Sequence, residues 1–233
     1  MKRSEINAIL TRSIALCERH GFHLPPWAQW TPDDWLRTGH EYDEVRDCGL
    51  GWDVTDFGSG RFAEVGLSVF TIRNGHPTVA AYAKPYCEKL LIVEEDQYTP
   101  YHFHWAKMED IICRSGGNLM VTLYNASPAD GLDDSAVLVN TDGHRYEVGA
   151  GATIRLTPGE SITLGPRLYH TFWAEEGHGT ALVGEVSKVN DDQHDNRFLD
   201  DLPRFPAIEE DEPPLRLLCT EYPGGTDVPL GPG

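Results

Sequence analysis

Basic side chains are scarce in this chain of 233 residues. Lysine and arginine together number 19, against 37 aspartates and glutamates, and the formal net charge is −18. Such a charge repels the phosphates of nucleic acids and of anionic membrane surfaces. We therefore expect neither a nucleic acid nor a membrane among the partners. The charge is compatible with a neutral small molecule such as a free sugar.

Cysteine pairs and long hydrophobic runs are also missing. The five cysteines are scattered without a Cys-x-x-Cys pair, and no secretory segment follows Met1. Charged residues, glycine or proline interrupt every candidate run before it reaches the roughly 18 to 20 apolar residues that cross a bilayer. The sequence therefore predicts a soluble protein of the reducing cytoplasm.

Three segments differ in residue pattern. Residues 4–20 are amphipathic and the stretch TPDDW carries a helix-start signal, so residues 1–50 are predicted to form a helical N-terminal arm. Across residues 51–188, short β-branched and aromatic segments alternate with glycine, proline, asparagine and aspartate, which is typical of a mainly β jelly-roll barrel. Acids and prolines dominate residues 189–233, which we expect to form an extended C-terminal tail packing on the barrel.

The stretch YHFHWAKMED carries a candidate metal site. Side chains two apart on a strand project to the same face, so His102 and His104 are predicted to point together. The four residues WAKM are enough to bring Glu109 back towards them, and His170 on a later strand could supply a fourth ligand. Three imidazoles and a carboxylate suit a divalent first-row metal and leave two positions free on a six-coordinate ion. Histidines on solvent-facing strands explain the pair alone, but explain the whole set less well.

Two stretches resemble the motifs of the cupin family. HFHWAKMEDIICRSGG resembles the first motif, and GATIRLTPGESITLGPRLYH resembles the second, although Trp173 stands where an asparagine often follows the histidine. The wider runs EKLLIVEEDQYTPYHFHWAKMEDIICRSGGNLMVTLYN, GPRLYHTFWAEEG and GEVSKVNDDQHDNRF closely resemble the D-lyxose isomerase family, and the resemblance covers most of the chain.

The resemblance implies a fold and a reaction. The fold would be a cupin jelly-roll barrel, and the metal would be Mn²⁺, with Co²⁺, Ni²⁺, Fe²⁺ and Zn²⁺ as alternatives. The enzyme would interconvert D-lyxose and D-xylulose, and also D-mannose and D-fructose, through an enediolate. A homodimer is expected from the apolar helix face, the sheet edges and the habit of cupins.

Proton transfer between two sugar carbons requires a base, and two residues are candidates. Glu185 is a carboxylate inside the apolar run ALVGEVSKV, and Lys107 is tethered between two candidate ligands. Lys89, Asp192 and Arg204 could hydrogen-bond sugar hydroxyls. A solvated position on the surface is the alternative for each of these five residues.

Two other functions use the same residues. A cupin dioxygenase could hold iron or nickel on the same ligands and consume O₂. A non-catalytic sugar-binding cupin could retain the ligands without turnover. Phosphorylated sugars are disfavoured because the barrel strands carry no cluster of basic side chains.

Overall fold

The computed structural model describes residues 1–192 and 194–225. Before the first strand, the chain forms α1 (Arg3–Arg19), α2 (Pro32–Trp35) and α3 (Asp43–Asp47), with 3₁₀ helices at Pro26–Gln29 and His40–Tyr42. The start signal in TPDDW is real, because Thr31 and Asp34 form a capping box around α2. Gly21, with a φ of +66°, lies just beyond the end of α1. None of the described helices is long and apolar enough to span a membrane.

The strands form two antiparallel sheets. One has eight strands in the order β1-β2-β3-β13-β5-β11-β8-β9, and the other has six strands counting β7, in the order β10-β6-β12-β4-β14 with β7 paired to β6. Their bounds are β1 (Gly51–Thr55), β2 (Leu67–Arg73), β3 (Tyr86–Val93), β4 (His102–His104), β5 (Glu109–Gly116), β6 (Leu119–Ala126), β7 (Leu132–Asp133), β8 (Val137–Thr141), β9 (His144–Val148), β10 (Thr153–Leu156), β11 (Ser161–Leu164), β12 (Leu168–Ala174), β13 (Ala181–Lys188) and β14 (Asn196–Phe198).

Apolar side chains fill both faces of the larger sheet. In β3, Leu91 and Val93 join the core between the two sheets, whereas Leu90 and Ile92 pack with the buried side of α1. This double burial explains why residues 90–93 of β3 form a continuous apolar run instead of an alternating one. The inward face of β3 also carries Lys89, since it lies two residues before Leu91. A charged group is thereby directed into the barrel.

After β13 the chain adds a strand to the smaller sheet and then contacts α1 and β1. Strand β14 pairs with β4, so part of the predicted tail completes the smaller sheet. Further along, the backbone N–H of Arg3 donates to the carbonyl of Glu209 at 2.8 Å, and Leu218 forms a bridge with Trp52 in β1. Position 193 and residues 226–233 of the predicted tail lie outside the described residues. The three segment boundaries stay a prediction.

Candidate active site

Three imidazoles meet inside the barrel. His102 and His104 lie on the inward face of β4, and His170 on β12 is paired directly with His102 across the smaller sheet. One nitrogen from each ring lies within 4.8 Å of one from each of the others. The predicted common direction of the two β4 histidines therefore holds, and neighbouring strands bring the third to them.

Backbone carbonyls fix two of these rings. Nδ1 of His102 lies 2.8 Å from the carbonyl of Pro100, and Nδ1 of His170 lies 3.0 Å from that of Leu168. A carbonyl only accepts, so each Nδ1 carries the proton and each Nε2 keeps a lone pair. Nδ1 of His104 is buried and has no hydrogen-bond partner among the described residues. Loss of hydration lowers the pKa of His102 well below 6.5 and that of His170 to about 4, which keeps both rings neutral at pH 7.

Glu109, the first residue of β5, adds a carboxylate to the cluster. Its Oε1 lies 3.4 Å from Nε2 of His104 and 3.3 Å from Nε2 of His170, while Oε2 lies 2.8 Å from the Nζ of Lys107. Burial would raise the pKa of Glu109, but the nearby Lys107 and the two imidazoles outweigh it and hold the pKa well below 4.5. The carboxylate is therefore ionised.

This donor set fits a divalent cation. Two ligand atoms about 2.1 Å from one ion would be roughly 3.0 to 3.4 Å apart at octahedral or tetrahedral angles, and the Glu109–imidazole distances match that separation. Neutral imidazoles and an ionised carboxylate are the protonation states that metal binding requires. The predicted ligands are thus brought together, and their role as ligands stays a prediction.

Glu185 lies beside this cluster on the inward face of β13. It faces Lys89 across the ladder to β3 and is only 5% exposed, so it is not a solvated carboxylate at a strand end. Its Oε1 lies 2.9 Å from Nζ of Lys107, 3.5 Å from Nζ of Lys89 and 3.0 Å from Oγ of Ser187. Glu185 is therefore held through Oε1 by two lysines and a hydroxyl.

Two further charged residues, Asp192 and Arg204, continue the series of ion pairs beyond Lys89. Asp192 lies 3.8 Å from Nζ of Lys89 and 3.4 Å from Nη2 of Arg204, which also contacts Asp53 of β1 at 2.5 Å. Burial would raise the pKa of Asp192, but Lys89 and Arg204 hold it well below 3.8. Carboxylates and cations thus alternate across the barrel floor, and each buried charge has a partner of opposite sign.

One cavity collects all of the sequence-predicted site residues. They are Lys89, His102, His104, Lys107, Glu109, His170, Glu185, Asp192 and Arg204. Apolar walls come from Phe57, Phe172 and Phe198, and Thr99 and Asn196 add polar groups. A concave site with a few converging polar groups is the usual form of a small-molecule site.

Sequence reasoning missed several polar residues that support this cavity. Asp53 pairs with Arg204, and Asn190 contacts both lysines through its side-chain carbonyl. Asp195 accepts hydrogen bonds from the backbone N–H groups of Ala106 and Lys107 at 2.8 and 3.0 Å. Asn190 and Asp195 belong to NDDQHDN, where a run of similar polar residues gives no signal for which of them turn inward.

The antiparallel barrel and its buried imidazole–carboxylate cluster define a cupin-type protein with a candidate metal centre. A family model described as D-lyxose isomerase matches residues 1–222. A Serratia proteamaculans protein named D-lyxose/D-mannose isomerase is 54% identical over 223 residues, covering 95% of this chain and 98% of the relative. An Escherichia coli O157:H7 protein of the same name is 52% identical with the same coverage. The chain belongs to the D-lyxose isomerase family and is an aldose–ketose isomerase.

Solved structures of sugar isomerases share the fold. Cellulomonas parahominis L-ribose isomerase with L-psicose superposes with a TM-score of 0.59 at 18% identity, covering 90% of this chain and 98% of that one. Geodermatophilus obscurus L-ribose isomerase gives 0.59 at 17% identity with the same coverage. Such identities show the fold alone. The predicted cupin-like, mainly β fold with an N-terminal helix is confirmed.

Proposed function

We propose that this enzyme interconverts D-lyxose with D-xylulose, and D-mannose with D-fructose, as free sugars and with a divalent cation, Mn²⁺ first among the candidates. The relatives named D-lyxose/D-mannose isomerase support the choice of sugars. The observation that carries the proposal is the adjacency, in one buried cavity, of four metal-type donors and a Lys107–Glu185 pair 2.9 Å apart.

The chemistry to be catalysed is a redistribution of protons. An aldose becomes a ketose when C2 loses a proton and C1 gains one, while O2 loses its hydroxyl proton and O1 gains one. The difficulty is the negative charge of the enediolate that forms between these steps. A divalent cation held by His102, His104, Glu109 and His170 would stabilise that charge as a Lewis acid.

The chain's own residues would move and hold the protons. Glu185 would take the proton from C2 with Oε2 and return it to C1, while Lys107 and Lys89 keep Oε1 in place. Lys107 would donate a hydrogen bond to a sugar oxygen at the cavity floor. The apolar walls of the cavity would keep bulk water from competing for the proton.

The far end of the cavity would hold the sugar chain. Nη1 of Arg204 is buried and lacks a hydrogen-bond partner among the described residues, so a sugar hydroxyl would satisfy it. Asp192 would accept from a neighbouring hydroxyl. No phosphate is needed to balance the site, because each of its cations already faces a carboxylate.

Ketose formation from D-lyxose and D-mannose tests the proposal. The protein is treated with a chelator and then given Mn²⁺, Co²⁺, Ni²⁺, Fe²⁺ or Zn²⁺ separately. We expect conversion to disappear with the chelator and to return with metal. His104→Ala should not recover, whereas His178→Ala, which changes an exposed histidine outside the cluster, should behave like the wild type.

Two results would contradict the proposal. Full conversion after metal removal, verified by elemental analysis, would reject the metal dependence. Absence of conversion of both sugars with every metal would reject the substrates, and oxygen uptake by the iron form would then favour the dioxygenase.

A further inference from the structure

Asn190 lies behind the two lysines that flank Glu185. Its Oδ1 accepts from Nζ of Lys89 at 2.6 Å and from Nζ of Lys107 at 3.4 Å. Ammonium groups only donate, so the carbonyl end of the amide must face the lysines. The same side chain hydrogen-bonds the Asp192 carboxylate, which accepts from the amide NH₂. Asn190 thus joins three charged residues of the cavity and is not itself among the residues that line it.

A second asparagine holds Asn190 in place. The backbone N–H of Asn190 donates to Oδ1 of Asn74 at 3.0 Å, and Nδ2 of Asn74 donates to the carbonyl of Asn190 at 3.1 Å. Nδ2 of Asn74 also reaches the carbonyl of Cys48 at 3.2 Å, and Asn74 is only 5% exposed. These bonds fix the backbone just after β13 ends, where the chain would otherwise be free to move away from the cavity.

Because the Asn190 amide is a neutral acceptor, it affects how well Glu185 can act as a base. Oε1 of Glu185 already lies near both lysines, and Asp192 also lies near Lys89. Without the amide, each lysine could satisfy a free N–H by moving closer to a carboxylate. A tighter ion pair would make Glu185 a weaker base, because a proton on it would then displace a stronger interaction.

We propose that Asn190, held by hydrogen bonds with Asn74, is a positioning residue for the isomerisation. It sets the positions of Lys89 and Lys107 relative to Glu185. This inference rests on the proposed function. Asn190 acts through the lysines and not on the sugar, so its loss slows the chemical step more than it weakens substrate binding. Asn74 acts only through Asn190.

The test compares Asn190→Ala, Asn74→Ala and the double variant in Mn²⁺-loaded protein. Loss of hydrogen bonds to charged groups is expected to lower kcat roughly 10- to 100-fold in Asn190→Ala, with KM changed less than about threefold. Asn74→Ala should lower kcat by a smaller factor. The double variant should be no slower than Asn190→Ala, since residues acting in series are not additive.

Two further measurements separate positioning from general damage. Mn²⁺ affinity by titration calorimetry should stay within about threefold of the wild type, because neither asparagine contacts a candidate ligand. Asn125→Ala is the matched control: that amide also donates two hydrogen bonds, to Ser135 and Ala136, and lies outside the cavity lining. It should leave kcat unchanged.

Four outcomes would overturn the inference. A folded Asn190→Ala protein with kcat within twofold of the wild type would remove its basis, as would losses that multiply in the double variant. A parallel loss of Mn²⁺ affinity would show damage to the metal cluster instead. A wild-type protein that isomerises no sugar would reject the proposed function and this inference together, whereas the first three outcomes leave the proposed function intact.

Discussion

Glu185 is the single residue on which the proposed chemistry depends most. Its carboxylate lies in the cavity, and Oε1 accepts a hydrogen bond from Lys107 at 2.9 Å. Replacing the carboxylate by an amide keeps the shape but removes the basic oxygen. We expect Glu185→Gln to lower kcat roughly 100- to 10,000-fold, the usual contribution of a general base, while Mn²⁺ still binds. Steady-state kinetics and calorimetry of the same sample would measure both.

Glu88 provides the control for that substitution. It lies on β3 one residue from Lys89, points away from the cavity and pairs with Arg73 at 2.8 Å. Glu88→Gln should therefore keep wild-type kcat. A Glu185→Gln enzyme retaining more than about a tenth of the wild-type kcat would assign the base to another residue, with Lys107 the first to examine.

For individual residues, the sequence predicted the candidate ligands better than the residues that hold them and their neighbours in place. His102 and His104 could be placed on one face because strand periodicity needs no knowledge of distant residues. Lys89 and Glu185 were candidates only, since a strand pattern does not tell which face is covered. Asn190 could not be found, because its contacts depend on where the chain after β13 folds back.

The loop that joins β4 to β5 is the element that sets the spacing of the candidate ligands. It connects His104 to Glu109 through residues 105–108, and the Asp195 carboxylate accepts from two consecutive N–H groups within it. We expect Asp195→Ala to lower Mn²⁺ affinity about 10- to 100-fold, as is usual when a residue supporting metal ligands is lost. Titration calorimetry would measure the change directly.

Asp201, an exposed aspartate that follows Asp195 in the chain after β13, is the matched control for Asp195→Ala. Asp201→Ala should bind Mn²⁺ like the wild type. Equal affinities for the wild type and Asp195→Ala would mean that the loop keeps its shape without the carboxylate, and that strand pairing between β4 and β14 is sufficient.

Arg3 links helix α1 to the C-terminal segment through ion pairs. This guanidinium is 1% exposed, and it pairs with Glu210 at 2.6 Å and with Glu221. Arg3→Met would leave both carboxylates without their cation, and we expect the free energy of unfolding to fall by about 1 to 3 kcal/mol. Urea unfolding would measure it.

Arg12 on the same helix gives the comparison. Its side chain is about half exposed and pairs with Glu94 at 2.9 Å. Arg12→Met should cost less than about 1 kcal/mol, as surface pairs usually do. Equal effects of the two substitutions would contradict a special role for Arg3 in anchoring the C-terminal segment.

Elements with a strong local signal were predicted well, and short ones that depend on distant partners were not. The amphipathic pattern of residues 4–20 and the long apolar strands correspond to real elements. Strand β14 has three residues and exists because it pairs with β4, so nothing in NRF itself marks it as a strand. The start signal in TPDDW opens a helix of only four residues, since α2 ends at Trp35.

The acidic composition of the whole protein does not determine the charge of its cavity. The charges in and next to the cavity are nearly balanced, because Asp53, Glu109, Glu185 and Asp192 pair with Lys89, Lys107 and Arg204. Four negative and three positive groups leave one net negative charge, which a divalent cation would convert to one net positive charge. That sign suits a neutral sugar that becomes an anionic enediolate during the reaction.

Acid should destabilise the whole metal-free protein through its buried imidazoles. The pKa of His170 is lowered by burial from 6.5 to about 4, and that of His102 is lowered in the same direction. The unfolded chain therefore binds protons between about pH 6.5 and pH 4 that the folded chain does not, so stability falls as the pH is lowered through that window. A shift of this size corresponds to roughly 3 kcal/mol for His170 alone.

Thermal unfolding of chelator-treated protein at several pH values between 7.5 and 4.5 would test this linkage. His170→Asn has no imidazole to protonate at that position, so its melting temperature should fall less steeply with acid than that of the wild type. Added Mn²⁺ should raise the wild-type melting temperature most at neutral pH and progressively less towards pH 5, since protons and metal compete for the same nitrogens. Identical slopes for the two proteins would mean that folding does not lower the pKa of His170, and would contradict this linkage.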